Sequence, residues 1–330
     1  MKKFLIVLFI LFVLLIIVGV VLWNYDFSRG RQMKWGVNFS QPQASYLGLD
    51  WKKVYLALLD DLKVRNLRLQ AYWPLLEKER GKFDFIDLDW QVKEAKKRDA
   101  KIIMVLGRRQ PHWPECHSPE WAKGLNEKET QEKILSMLER VVKHYKKESA
   151  ILIWQVDNEP LVDWFGVCPL IDKEFIKREI ALVKSIDFRP ILITDSGELS
   201  FWYEAKKLGG DFLGTTMYRV VWNKTAGYLN YKYLIPPAFY YFRARALGIY
   251  PDGMIISELQ AEPWQRIALE ELSLEEQRQS FDAIKFKANT EFARRVGFGS
   301  AYLWGAEYWA WLKEKNGDAS LWEEARLLFR

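Results

Sequence analysis

Two glutamates in this 330-residue chain follow short apolar runs and have a tryptophan nearby. Glu159 lies in the stretch WQVDNEP, directly after Asn158, and Glu258 lies in IISELQAEPW. Two facing carboxyl groups can hydrolyse a glycosidic bond, because one protonates the leaving oxygen while the other attacks the sugar or activates water. Either glutamate alone could instead cap a helix N-terminus, where carboxylates are favoured. The occurrence of both motifs favours the catalytic interpretation.

The chain from Lys34 onward repeats a short apolar run, a loop and an amphipathic stretch, which predicts alternating strands and helices. The predicted strands are residues 34–39, 66–71, 101–106, 151–156, 190–195, 211–217, 254–257 and 300–305. Near-continuous apolar strands between helices indicate a parallel sheet covered by helices. Eight such units in about 295 residues predict an α/β fold, a (β/α)8 TIM barrel. An open doubly wound sheet is the alternative, although no Gly-x-Gly-x-x-Gly motif follows the first strand.

The barrel would bring the two glutamates to one place, because its catalytic groups lie at the carboxyl ends of the strands. With Glu159 after the fourth strand and Glu258 at the seventh, the two motifs resemble those of clan A glycoside hydrolases, the cellulase- and β-glycosidase-like retaining barrel enzymes. Tyr218 after the sixth strand and Trp304 on the eighth strengthen the resemblance, which covers about residues 34–330. It implies that Glu159 is the acid/base and Glu258 the nucleophile.

The resemblance also implies roles for the neighbours of the two glutamates. Asn158 would hold the sugar 2-hydroxyl, and Trp304 would form the floor of the sugar subsite. Tyr218 and Arg68 would orient Glu258 and keep it ionised, because a nearby guanidinium favours a charged carboxylate. The acid must instead keep its proton near neutral pH, and the two carboxyl groups of a retaining pair should be about 5 Å apart.

Four further residues near strand ends are candidate substrate contacts, namely Trp73, His112, Trp113 and Glu307. For His112 a plain loop role is the alternative, and for Glu307 a surface-loop role. Glu262 follows the seventh strand and precedes a proline, so we expect it to be a loop residue.

Three arginines, Arg108, Arg109 and Arg219, also lie at strand ends. Arginine suits bidentate contacts with planar anions, so these side chains could bind an anionic sugar. They could equally pair with carboxylates of the protein, such as Asp157 or Asp195.

The composition restricts the classes of ligand that the protein is expected to bind. The 16 tryptophans fit either an aromatic core or a groove for sugar rings. The net charge of +6 is spread over mixed clusters such as KEAKKRDAK, which indicate solvated helix faces and not a nucleic-acid surface. The three histidines are scattered, so we predict no metal site and no cofactor.

Residues 4–23 contain no charge and are long enough to cross a hydrocarbon core of roughly 30 Å. This run is longer than the apolar region of a cleaved signal peptide and lacks a small-x-small cleavage site, so we predict an uncleaved signal anchor. Lys2 and Lys3 favour a cytoplasmic N-terminus, although Arg29 and Arg31 on the other side weaken this rule. The predicted division is an anchor in the bilayer over 1–23, a linker over 24–33 and an extracytoplasmic catalytic domain over 34–330.

The chain has two cysteines, Cys116 after the third strand and Cys168 after the fourth. These loops are neighbours in the barrel, and export would permit a disulfide between them. Two separate thiols are the alternative.

The predicted function is therefore a membrane-anchored retaining glycosidase acting on a carbohydrate, with a β-linked substrate suggested by the resemblance. An inactive carbohydrate-binding protein on the same fold is the first alternative, and a transglycosidase with the same residues is the second. The sugar and the choice between exo and endo cleavage stay open.

Overall fold

The computed structural model describes residues 2–264 and 267–330, so Met1 of the predicted anchor lies outside the described residues. Within them, eight parallel strands close into a barrel in the order β1-β10-β9-β6-β5-β4-β3-β2, which confirms the predicted (β/α)8 fold. The barrel strands are β1 Lys34–Phe39, β2 Asn66–Gln70, β3 Lys101–Leu106, β4 Ile151–Val156, β5 Ile191–Asp195, β6 Phe212–Met217, β9 Met254–Gln260 and β10 Ser300–Trp304. A two-stranded antiparallel hairpin, β7 Val220–Asn223 and β8 Gly227–Asn230, projects after β6.

The inside of the barrel is filled by a cluster of side chains that includes Ile103, Leu192, Ile255 and Tyr302. Tyr302 fits because β1 has a glycine opposite it. A Cβ atom on Gly36 would lie 2.6 Å from the Tyr302 ring. The strands are nearly all apolar because they are buried both here and under the helices.

All the helices except the first cover the outside of the barrel. Their bounds are α1 Lys2–Asn24, α2 Gln41–Tyr46, α3 Trp51–Asp60, α4 Trp73–Leu76, α5 Ile86–Lys96, α6 Glu127–Tyr145, α7 Lys173–Ile186, α8 Tyr203–Lys207, α9 Pro237–Ala246, α10 Leu274–Ser280, α11 Ala283–Val296, α12 Ala306–Asn316 and α13 Ser320–Phe329. Several begin at a side-chain cap. Asn126 and Glu129 form a reciprocal capping box at the start of α6.

One long amphipathic run, residues 273–297, is divided into two helices in the structure. Helix α10 ends before Phe281, whose side chain enters the core, and the Asp282 carboxylate caps the new helix α11 at the Lys285 N–H. Helix α11 buries Phe286, Ala293 and Val296, whereas the buried residues of α10 are the polar Gln277 and Ser280. Helix α11 then ends at Gly297, as its sequence indicates.

Residues 4–23 of helix α1 are apolar, with a mean hydropathy that reaches 3.7, and none of these residues is buried in the protein. Its length and composition are sufficient to cross a membrane. The residues after it pack against the barrel. The Phe27 ring stacks on Tyr241 at 4.4 Å, and Asp26 pairs with Arg294 at 2.7 Å.

Candidate active site

A cavity of about 960 Å³ opens at the carboxyl ends of the barrel strands. Its lining combines flat aromatic surfaces with carboxyl groups, which suits a ligand with apolar ring faces and many hydroxyl groups. The aromatic lining includes Trp113, Trp164, Trp222, Trp264 and Trp304. The glutamates that line it among the described residues are Glu115, Glu159, Glu198, Glu258 and Glu262.

Glu258 ends up between two hydrogen-bond donors. The Arg68 guanidinium donates to its Oε1 at 3.1 Å, and the Tyr218 hydroxyl donates to its Oε2 at 3.0 Å. Arg68 is fully buried below the cavity and is itself fixed by Asn38 and Gln155, each at 2.7 Å. Both carboxylate oxygens of Glu258 therefore have a fixed partner, and the side chain is held in one orientation.

Glu159 stands on the turn that follows β4 and has a positive φ of 46°. Its N–H donates to the Thr194 hydroxyl at 2.9 Å, so the neighbouring strand β5 holds this turn. Desolvation in the cavity raises the pKa of Glu159 well above its usual value, and the negative charges of Glu258 and Glu115 raise it further. The two predicted catalytic glutamates thus line one cavity, where Glu258 is clamped by two donors and Glu159 has a raised pKa.

Asn158 connects the arginine below the site with a third carboxyl group. Its Oδ1 accepts from Arg68 at 2.7 Å, and its Nδ2 donates to Glu115 at 3.3 Å. The amide is therefore fixed at the edge of the cavity beside Glu159, and it lines the cavity as well.

Trp304 is held from two sides. The His112 ring lies 4.2 Å from it, and its indole N–H donates to Glu262 at 2.9 Å. Desolvation lowers the pKa of His112 to about 3, so this ring is neutral at physiological pH. Glu262 lies in the loop after β9, as expected, but it is buried and lines the cavity, and desolvation beside Glu307 raises its pKa to about 8.

Glu115 and Glu198 also line the cavity, although no motif in the sequence points to either residue. Glu115 is buried, and desolvation together with the charge of Glu258 raises its pKa to about 8. Glu198 accepts from the Tyr218 N–H at 2.8 Å and from the Tyr240 hydroxyl at 2.7 Å. Their one signal in the sequence is a position in the loops after the third and fifth strands.

Two predicted substrate contacts lie elsewhere. Trp73 is fully buried, its indole N–H donates to Glu77 at 2.7 Å, and its ring packs edge-on against Trp121. Glu307 is buried in the first turn of α12, where its carboxylate accepts from the Ser40 N–H. Both expectations are corrected, because each side chain turns from its strand end into the protein and neither lines the cavity.

Trp113, by contrast, lies at the rim of the cavity with 66% of its surface exposed. The three arginines at the strand ends contact other groups of the protein. Arg108 pairs with Glu127 at 2.6 Å, Arg109 donates to the Phe165 carbonyl at 2.9 Å, and Arg219 stacks on the Phe292 ring at 3.6 Å. None of the three lines the cavity.

A disulfide joins Cys116 to Cys168, whose Cα atoms are 5.2 Å apart. The predicted pairing is confirmed. It connects the loop that carries Trp113 and Glu115 to the loop after β4, and so fixes one wall of the cavity.

Comparison with known proteins agrees with this geometry. The family model Glyco_hydro_42, described as beta-galactosidase, matches residues 51–225, which is more than half of the chain. No curated protein matches the sequence significantly.

Solved structures share the fold at low identity. Xylanase 10B from Thermotoga maritima superposes with a TM-score of 0.56 at 18% identity, covering 82% of both chains. A beta-galactosidase from the haloarchaeon Halorubrum lacusprofundi gives 0.57 at 15% identity, covering 90% of this chain and 58% of its own. The endo-beta-1,4-mannanase from Thermotoga petrophila gives 0.57 at 15% identity over 83% of this chain and 68% of its own. The chain belongs to the Glyco_hydro_42 family and is a retaining clan A glycoside hydrolase on a (β/α)8 barrel.

Proposed function

We propose that this protein is a membrane-anchored, extracytoplasmic glycosidase that cleaves a β-linked glycan by double displacement, with Glu258 as nucleophile and Glu159 as acid/base. One observation carries the proposal. Arg68 and Tyr218 clamp the Glu258 carboxylate, while Glu159 in the same cavity has a raised pKa. Two glutamates with opposite protonation needs thus have the surroundings that each role requires.

In the first step, a Glu258 oxygen attacks the anomeric carbon as its bond to the leaving oxygen breaks. Glu159 donates its proton to that oxygen, so the leaving sugar or alcohol departs neutral. Asn158 lies beside Glu159 and would hold the sugar 2-hydroxyl, while the Trp304 ring would support the apolar face of the sugar.

In the second step, Glu159 accepts a proton from a water molecule, which attacks the anomeric carbon and releases Glu258. The charge of Glu258 is one cause of the raised pKa of Glu159. Esterification removes that charge, so the pKa of Glu159 falls and the residue can act as a base. The same pair thereby exchanges roles between the two steps.

The substrate class follows from the family and the lining of the cavity. The family model is described as beta-galactosidase, so a β-galactoside is the first candidate. The aromatic rings and carboxyl groups of the described lining suit a sugar ring with many hydroxyl groups.

The cellular placement rests on helix α1 and the disulfide. An uncleaved α1 with a cytoplasmic N-terminus would place residues 34–330 outside the cytoplasm, with residues 4–23 in the lipid bilayer. The Cys116–Cys168 disulfide suits such an oxidising compartment.

The test is hydrolysis of a panel of aryl β-glycosides, including galactosides, by the full chain in detergent. We expect Glu258→Gln and Glu159→Gln to lose at least about 10³-fold in kcat/KM. The matched control is Glu120→Gln, because Glu120 is 84% exposed in its side chain and lies outside the cavity. With azide, Glu258→Gly should yield the glycosyl azide of inverted configuration. Unchanged activity in either glutamine variant would refute the assignment.

A further inference from the structure

Residues 24–33, predicted as a linker, form a packed junction between helix α1 and the barrel, which we call the collar. The Arg295 guanidinium donates to the Trp23 carbonyl at 2.6 Å, and the Phe27 N–H donates to the Arg295 carbonyl at 2.9 Å. Gly297 permits this approach, because a Cβ atom there would lie 2.5 Å from the Phe27 carbonyl oxygen. The collar is therefore attached to α9 and α11 by ring stacking, hydrogen bonds and an ion pair.

The collar enters the barrel at a defined end. It leads directly into Lys34, the first residue of β1, and it contacts Gly297 just before β10. Both places are the amino ends of parallel strands. The cavity lies at the carboxyl ends, so anchor and active site occupy opposite ends of the barrel. A six-residue strand tilted in the barrel separates these ends by at least about 15 Å.

The end of the barrel that carries the collar, here called the basal end, comprises the collar and the helix-to-strand turns 61–65, 97–100, 146–150, 187–190, 208–211 and 247–253. Exposed aromatic rings occur on it. Phe188, in the turn before β5, is 98% exposed, and Tyr250, in the turn before β9, is 69% exposed. Tyr25 and Phe242 beside the collar are also exposed. Aromatic rings at this level are typical of a membrane interface.

Basic and acidic residues of the helices concentrate at opposite ends of the barrel axis. The helices run opposite to the strands, so their last turns lie toward the basal end and their first turns toward the cavity. The last turns carry Lys93, Lys96, Lys143, Lys184, Lys206, Lys207, Arg245, Arg294, Arg295, Lys313 and Lys315. The first turns carry Asp87, Asp89, Glu127, Glu129, Glu174, Glu204 and Glu307. The basal end also holds acidic residues, and some of these cations are paired there, as Lys96 is with Glu148 and Lys184 with Asp211. The exposed Lys146 and Lys147 add further cations to this end.

We infer that the basal end rests on the bilayer surface, binding anionic phospholipid headgroups through its cations and inserting its exposed aromatic rings at the interface, so that the active-site cavity faces away from the membrane. The inference rests on the membrane anchoring proposed above. Each cation near an anionic surface contributes about 1 kcal/mol, so a handful is sufficient to hold one orientation. The substrate then reaches the cavity from the aqueous side.

The test uses the full chain in nanodiscs of phosphatidylcholine alone or of an equal mixture with phosphatidylglycerol. Both native cysteines are in the disulfide, so an introduced cysteine takes a fluorophore alone. Ser149→Cys labels an exposed turn at the basal end, and Thr225→Cys labels the exposed tip of the β7–β8 hairpin beside the cavity. A headgroup-attached nitroxide lipid serves as quencher.

We expect at least about threefold stronger quenching at position 149 than at position 225, because of their separation along the barrel axis. On the Ser149→Cys background, Lys147→Glu and Phe188→Ser should weaken the quenching, as should removal of phosphatidylglycerol. Lys224→Glu and Phe201→Ser are the matched changes near the cavity, and they should leave the quenching at position 149 unaltered.

Equal quenching at the two positions, stronger quenching at 225, or none at either would overturn the inference while leaving the anchor intact. A protein that lacks α1 by mass, or that does not enter the nanodiscs, would overturn the anchor and the inference together. Hydrolysis of an aryl glycoside by the same sample reports separately on the catalytic assignment.

Discussion

Glu159 and Glu258 have the same side chain and different surroundings, and this difference defines their chemistry. Glu258 receives one hydrogen bond on each carboxylate oxygen, from Arg68 and from Tyr218. Glu159 instead has the charge of Glu258 nearby, which adds to desolvation in raising its pKa. The sequence motifs identify both residues, but the clamp depends on contacts between strands that are distant in the chain.

The Tyr218 hydroxyl gives a direct test of the clamp. Tyr218→Phe removes the bond to Glu258 and leaves the ring in place. A hydrogen bond to a charged group contributes about 1.5–3 kcal/mol, so kcat/KM should fall by about 10- to 100-fold. Steady-state kinetics on an aryl glycoside measure this loss, and Tyr250→Phe, at an exposed tyrosine of the basal end, should show none.

Glu262 should act through Trp304. Glu262→Gln keeps an acceptor for the indole N–H, whereas Glu262→Leu leaves that donor unpaired. We expect KM to rise about tenfold in the leucine variant and less than about threefold in the glutamine variant. An equal effect of both variants on kcat, with KM unchanged, would contradict this positioning role.

The sequence predicted which side chains line the cavity where a motif directly follows a strand. It did not do so where the position of a side chain depends on how it is buried. Trp73 follows β2 as expected but turns into the core, while Glu262 lies within reach of the cavity despite the proline after it. Neither outcome follows from residue type, because both depend on the direction of a side chain after the strand ends.

At the scale of elements, the packing inside the barrel depends on Gly36. Gly36→Ala would force its Cβ to within 2.6 Å of the Tyr302 ring, so we expect a loss of about 1–3 kcal/mol in the free energy of unfolding. Gly124→Ala is the matched control, because nothing lies within 4 Å of a Cβ there. Chemical denaturation of the two variants in detergent measures the difference.

Glu307 at the start of α12 links stability to pH. Desolvation raises its pKa from 4.5 to about 7, so the folded state binds more protons than the unfolded state between these values. Stability is therefore lost as the pH rises through this range, by up to about 3 kcal/mol.

Glu307→Gln keeps an acceptor for Ser40 and removes the titration. Between pH 5 and pH 7.5, the unfolding free energy of this variant should therefore change less than that of the wild type. The difference between the two changes should be up to about 3 kcal/mol. Glu120→Gln should follow the wild type. A wild-type stability that rises over this range in parallel with the variant would contradict the linkage.

At the scale of the whole molecule, the alternation of apolar strands and helices predicted the barrel with strand ends within a few residues. It worked because most barrel strands are largely buried and therefore read as short, mainly apolar runs. The packed collar could not be predicted in this way. Residues 24–33 are polar and short, and only their contacts with α9 and α11 distinguish them from a free linker.

Double displacement requires a covalent sugar on Glu258, and trapping this intermediate tests the proposed mechanism at its first step. The full chain would be treated with a 2-deoxy-2-fluoro aryl β-glycoside of the preferred sugar, digested with protease and analysed by mass spectrometry. We expect one fluorosugar per protein, bound to the peptide that contains Glu258, and no label in Glu258→Gln. A label on Glu115, Glu159 or Glu262, or rapid inactivation without any covalent sugar, would contradict the role of Glu258 as the nucleophile.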